Sequence, residues 1–187
     1  MFRRILLATV LVTPLMACST RDLEPQAAES RVVVKEFMQN LKGELQTAMK
    51  AGGPVNAVRV CNETAPGIAE SLSTQKGWEV GRTSLKVRNP DNAPDVWEEK
   101  VLKQFETRKA GGEDPKTLEY FEMVKTEDGE VFRYMKAIPT GEVCLACHGE
   151  SIAAPVREKL QALYPYDKAT GYKVGDLRGA FTITQPM

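Results

Sequence analysis

The sequence predicts an α+β fold, with helices first and an antiparallel sheet after them. Two observations carry this: apolar residues recur at three- and four-residue steps in the first half of the chain, and they alternate in the second half around an Asp128-Gly129 turn. That order of elements places the helices to one side of the sheet.

Taken in order, the chain opens with Arg3 and Arg4, an apolar run from Ile5 to Met16, and Ala17 before Cys18. This is a signal peptide over residues 1–17, too short for a span of about 20 apolar residues. Leu15-Met16-Ala17-Cys18 resembles a bacterial lipobox, which implies cleavage before Cys18 and a lipid on its thiol. Ser19, which is not Asp, points by the same likeness to the outer rather than the inner membrane. Residues 18–30 are small, polar and Pro-containing, the composition of a flexible tether.

Residues 31–187 are read as one domain. Val34, Phe37, Leu41, Leu45 and Met49 mark a helix from Arg31 to Lys50, stopped by Gly52-Gly53-Pro54. A second helical face carries Ala57, Cys61, Ala65, Ile68 and Leu72, and Pro66 predicts a kink or restart near Thr64. Trp78 to Val87 reads as a strand and its exit, and Asn89-Pro90 with Ala93-Pro94 as a loop. Asp95 caps a helix to Lys109 whose inward residues are Val96, Val101 or Leu102, and Phe105. Leu118–Thr126 and Glu130–Ile138 form a hairpin, Ser151–Leu163 carries a short helix, and Gly179–Gln185 is the last strand.

The chain has 25 basic and 25 acidic residues and one histidine. Loss of the leader removes two arginines and leaves a slightly acidic protein, so nothing in the charge points to a nucleic-acid partner.

That one histidine, His148, closes Cys144-Leu145-Ala146-Cys147-His148. A C-x-x-C-H run in an exported chain reads as covalent attachment of one c-type haem. Two thiols at this spacing can each add to a vinyl group of the porphyrin, and the histidine that follows ligates the iron. A thioredoxin-like motif would need a βαβ setting. A structural zinc site would need a fourth ligand, and a Cys-His hydrolase would need one thiol and a separated histidine.

With Cys18 taken by lipid and Cys144 and Cys147 by haem, Cys61 is left over in an oxidising compartment. Since His148 is the sole histidine, a second imidazole cannot come from this chain. The sixth position is then Cys, Met, Lys, another weak ligand, water or empty; Cys61, Met135, Met123, Met38 and Met49 are the named candidates on the residues alone, beside burial of Cys61 as a small hydrophobe. Arg82, Lys86 and Arg88 are candidates to pair with the haem propionates.

Arg82-Thr83-Ser84-Leu85-Lys86, Arg88-Asn89-Pro90, Asn92-Ala93-Pro94, the segment from Cys144 to Gly149, Tyr164-Pro165, Gly171-Tyr172 and Gly175 to Ala180 resemble the family of single c-type haem domains with a PAS-like fold. That family recurs as the extracytoplasmic input module of sensor kinases and chemoreceptors. The resemblance covers Arg31 to Gln185 and implies a PAS-like fold, with His148 and Cys61 as the two axial ligands. No transmembrane segment or kinase follows before Met187, so a signal is expected to pass to a separate protein.

The function expected is a periplasmic, membrane-anchored mono-haem cytochrome in electron transfer or redox sensing, with a haem-based sensor of NO or CO as the alternative. An enzyme such as a peroxidase would need an acid–base group and an open iron site on the distal side, and the single histidine argues against it.

Overall fold

The computed structural model describes residues 21–187. The leader and the lipidation of Cys18 lie outside the described residues. Helix α1 spans Glu24–Arg59 and is two arms, because Gly52 (φ −165°, ψ 23°) and Gly53 (φ 68°, ψ −161°) leave helical geometry. Pro54 starts the second arm, where its missing N–H costs nothing. The predicted stop at Gly52-Gly53-Pro54 is therefore a hinge between arms.

A π-helical turn at Val60–Thr64 links α1 to α2 (Ala65–Lys76). Pro66 has no N–H to return to the carbonyl four residues earlier, and one inserted residue relieves the ladder there. Strand β1 is Glu79–Thr83, shorter than the predicted run, and residues 84–87 form its exit. Helix α3 (Val96–Ala110) begins at a capping box in which Asp95 accepts from the Glu98 N–H at 2.7 Å and the Glu98 carboxylate accepts from the Asp95 N–H at 3.1 Å. Strands β2 (Glu119–Thr126) and β3 (Gly129–Pro139) form the expected hairpin, α4 is Leu145–His148, α5 is Ala154–Leu163 and β4 is Leu177–Pro186.

The four strands pair antiparallel in the order β1-β4-β3-β2. Phe132, Tyr134, Phe181 and Ile183 point to one face and pack on Val33, Val34, Phe37 and Leu41 of α1 and on Leu72 of α2. Met135, Ala137 and Ala180 point to the other, where Val101, Leu102 and Phe105 of α3 cover them. The α+β class holds, but the helices lie on both faces rather than one. The alternation in β3 and β4 is apolar on both sides, so each face needs a cover. Burying each of those α3 side chains is worth about 1.5–3 kcal/mol against exposure. Val96, expected inward, is 88% exposed, because in the first turn Trp97 and Glu98 take the sheet side, bonded to Glu122 and Thr182.

The expected tether is also revised. From Glu24 onward the chain is helical, and Ala27 and Ser30 are fully buried. Their small side chains let α1 approach β4, where the Gln185 amide donates to the Ser30 hydroxyl at 2.8 Å and to the Gln26 carbonyl at 3.2 Å. Further along, Arg31 pairs with Glu119 at 2.6 Å, and that carboxylate also accepts from the Tyr134 hydroxyl at 2.8 Å. α1 is thereby tied to both strands of the hairpin.

Candidate functional site

The motif sits where β3 ends and β4 begins. The Thr140 N–H donates to the Asp176 carbonyl at 2.7 Å and Gly175 returns one to Thr140 at 2.8 Å, which clamps the loop before β4 against the end of β3. A 3-10 turn, Glu142–Cys144, then leads straight into α4. Gly149 follows His148 because a Cβ there would lie 2.7 Å from the Leu145 carbonyl oxygen. The segment from Tyr164 to Tyr172 returns alongside, with Gly171 donating to Gly149 at 3.1 Å and Tyr172 to His148 at 3.0 Å.

Cys144, Cys147 and Cys61 are all half-buried free thiols. Cys147 packs against Val58, Val156, Leu160 and Tyr164, which seat α5 on the second arm of α1. Burial raises its thiol above the usual range, and Arg88 opposes that. Cys61 sits on the π-helical turn, close enough to Cys147, Arg82 and Tyr164 to count among the groups that perturb them. The helix break thus places Cys61 towards the motif although eighty-odd residues separate them in sequence. Met135 instead lies in the α3-facing core, Met38 is 50% exposed, and Met123 packs against the α1-facing core.

His148 is oriented by its own main chain. Its Nδ1 lies 2.7 Å from the Ala169 carbonyl, which fixes the proton on Nδ1 and leaves Nε2 as the acceptor nitrogen, to which the Arg178 Nε–H donates at 3.4 Å. Desolvation, then Arg178 and Arg88, push its basicity down to about 2, so the ring is neutral at every ordinary pH. The edge of the imidazole stands at 88° to the Tyr172 ring, 6.2 Å away.

Three arginines face this histidine. Arg88 is buried and ion-paired with Asp167 at 2.9 Å. It also donates to the Cys147 carbonyl at 2.6 Å and reaches to 3.5 Å from Nε2. Arg178 places its Nε 3.4 Å from Nε2 and donates to the Ser84 hydroxyl at 3.0 Å. Arg82 lies over the Phe37 ring at 5.5 Å, and desolvation lowers its pKa. Lys86, an exposed side chain, donates to the Thr170 carbonyl at 3.2 Å and covers the Tyr172 ring at 4.8 Å.

Of the expected propionate partners, Arg88 is therefore committed to Asp167 and to holding the motif backbone. Among the described residues, Arg82 and Arg178 have no carboxylate partner of their own, and two desolvated guanidinium groups without anions are costly. Sequence reasoning did not select Arg178, Asp167 or Ala169, although Arg178 stands within the quoted Gly175 to Ala180 run. Trp78, Phe132 and Tyr134, the aromatic residues of β3 and the approach to β1, pack in the α1-facing core.

Chemically, the arrangement offers two thiols, a neutral imidazole, a third thiol in the same region and surplus positive charge. Among the described residues no three His, Cys, Asp or Glu side chains converge to hold a bare metal ion. An iron porphyrin, which brings four nitrogens and two carboxylates of its own, matches this donor set.

No curated protein matches the chain. The crystal structure of the cyanobacterial heme-protein Tll0287 superposes with a TM-score of 0.66 at 25% identity, over 87% of this chain and 96% of that one. The Tll0287-like family model matches residues 20–186, almost the entire chain, and the protein belongs to that family.

Proposed function

We propose that this protein binds one haem c, covalently through Cys144 and Cys147, with His148 and Cys61 as axial ligands of the iron, in a PAS-like domain. The observation that carries the reading is the Ala169 carbonyl on His148 Nδ1, which leaves a neutral Nε2 as the ligating nitrogen directly after two free motif thiols. Arg82 and Arg178, with Lys86 at the rim, would neutralise the two propionates. When bound, the haem supplies a one-electron couple. The chain's own residues orient the imidazole, hold the thiolate on a helix turn and exclude bulk water with Val58, Leu160 and Tyr164.

In this reading residues 1–17 direct export, Cys18 carries a lipid, and the domain works in the periplasm, on the outer membrane rather than the inner one. It passes electrons, or reports redox state to a partner protein, and catalyses no reaction of its own. Nucleic acid is not a partner. The Cys61 segment lies between Gly52-Gly53 and Pro66, so it is the part of the fold best able to move if the ligand is released.

Exposure of the reduced protein to carbon monoxide separates this from gas sensing. A redox protein held by both ligands is expected to keep its reduced spectrum over minutes. Rapid formation of a carbonyl spectrum would favour the haem-based NO or CO sensor instead.

A further inference from the structure

The Ala169 carbonyl has two donors. It accepts from His148 Nδ1 at 2.7 Å and from the Arg88 guanidinium at 3.2 Å. Arg88 is itself fixed on three sides, by Asp167 at 2.9 Å through Nε, by the Cys147 carbonyl at 2.6 Å, and by the close packing that leaves its side chain 5% exposed. The other carboxylate oxygen of Asp167 accepts from the Ala169 N–H at 2.8 Å, so the same residue sets the position of the peptide that holds the histidine. The Lys168 N–H, donating to the Val87 carbonyl at 2.9 Å, ties that loop to the last residue of the β1 exit, next to Arg88.

A carbonyl that accepts from an imidazole N–H draws the proton away and makes the far nitrogen a stronger, more anionic donor. A cation sharing that carbonyl takes electron density from it and weakens the pull. Through that carbonyl Arg88 and Asp167 therefore act on the ligand nitrogen in opposite senses, beside the direct approach of Arg88 Nη1 to 3.5 Å from Nε2.

We infer that the buried Arg88–Asp167 pair is a positioning device that sets the donor strength of His148 through the shared Ala169 carbonyl, and with it the redox potential of the bound iron. The inference rests on the haem reading above. In the couple concerned, ferric iron takes one electron from the titrant and becomes ferrous, and no bond of Arg88 or Asp167 is made or broken.

The test is a potentiometric titration of the haem-loaded protein and three variants. Asp167→Asn keeps the shape and the bond from the Ala169 N–H but removes the charge that restrains Arg88, and is expected to raise the potential. Arg88→Gln is expected to lower it. Arg88→Lys keeps the positive charge, cannot span Asp167 and both carbonyls, and frees Ala169 for His148 alone. It is expected to lower the potential too, by about tenfold in the ferric-to-ferrous ratio, or about 59 mV for one electron. A pair that merely supports the fold would shift Asp167→Asn and Arg88→Gln in the same direction, and this overturns the inference. An unshifted Arg88→Lys overturns it as well, since charge acting through space would then explain the rest. If Arg88→Gln fails to accumulate, Asp167→Asn and Arg88→Lys decide alone, by opposite signs or by the lack of them. Wild-type protein without haem would sink the functional reading instead, before any variant is compared.

Discussion

Replacing Cys61 with alanine is expected to abolish the low-spin thiolate signature of the ferric protein in optical and EPR spectra. Cys61 is half-buried on a π-helical turn, near Arg82 and Cys147. As a ligand it would place negative charge on the iron, favour the ferric state and keep the potential low. Its loss leaves a five-coordinate or water-bound iron at a higher potential. Truncating a half-buried cysteine costs about 1 kcal/mol of stability, so a wholesale change of spectrum would not come from unfolding. Cys61→Met is expected to restore a low-spin spectrum at a raised potential, because a thioether ligates without charge. If Cys61 is only a small hydrophobe in the helix interface, both variants will keep the wild-type spectrum.

Gly179→Ala is expected to be the most destabilising single methyl in the domain. Gly179 has φ +155°, and a Cβ there would stand 2.3 Å from the Thr83 carbonyl oxygen and 3.1 Å from the Ser84 Cβ. Strands β1 and β4 close on each other at this point, and the closure lets the Ser84 hydroxyl donate to the Arg178 carbonyl at 2.7 Å. Opening the strands removes that bond and carries Arg178 away from His148. The cost is roughly 3–5 kcal/mol, from positive φ and a backbone clash together. Thermal unfolding should therefore fall on the order of 10 °C. Gly81→Ala is the control on the same strand pair: its Cβ would meet Thr182 Cγ2 at 3.5 Å, an ordinary contact. It should stay within about 1 kcal/mol of wild type. Equal losses at the two positions would show that the Gly179 geometry is not the cause.

Local signals were readable in the chain and non-local ones were not. Asp95 with Glu98 announces the start of α3 because a capping box is closed within four residues. Asp128-Gly129 fixes the hairpin for the same reason, and Pro66 marks the break because proline removes a donor wherever it falls. By contrast, the first two turns of α1 look like a tether, since Ala27 and Ser30 earn their burial from Gln185 at the far end of the chain. The cover of the second sheet face by α3 depends on strand order, which periodicity does not contain. The site divides in the same way. Both motif thiols and His148 are written in five residues, whereas the partner of Arg88 lies 79 residues away and the carbonyl that orients His148 lies 21 away. Arg178 was legible only as part of a resemblance, because a lone arginine at the start of a strand carries no mark of what it will face.

The most direct measurement is the intact mass of the chain exported by cells competent in cytochrome c maturation, taken after denaturation and alkylation. The mass should exceed that of the processed, lipidated chain by one haem and one alkyl group on Cys61, with both Cys144 and Cys147 protected. A chain that lacks the haem mass and has Cys144 and Cys147 both alkylated would contradict the covalent haem on which the functional reading depends.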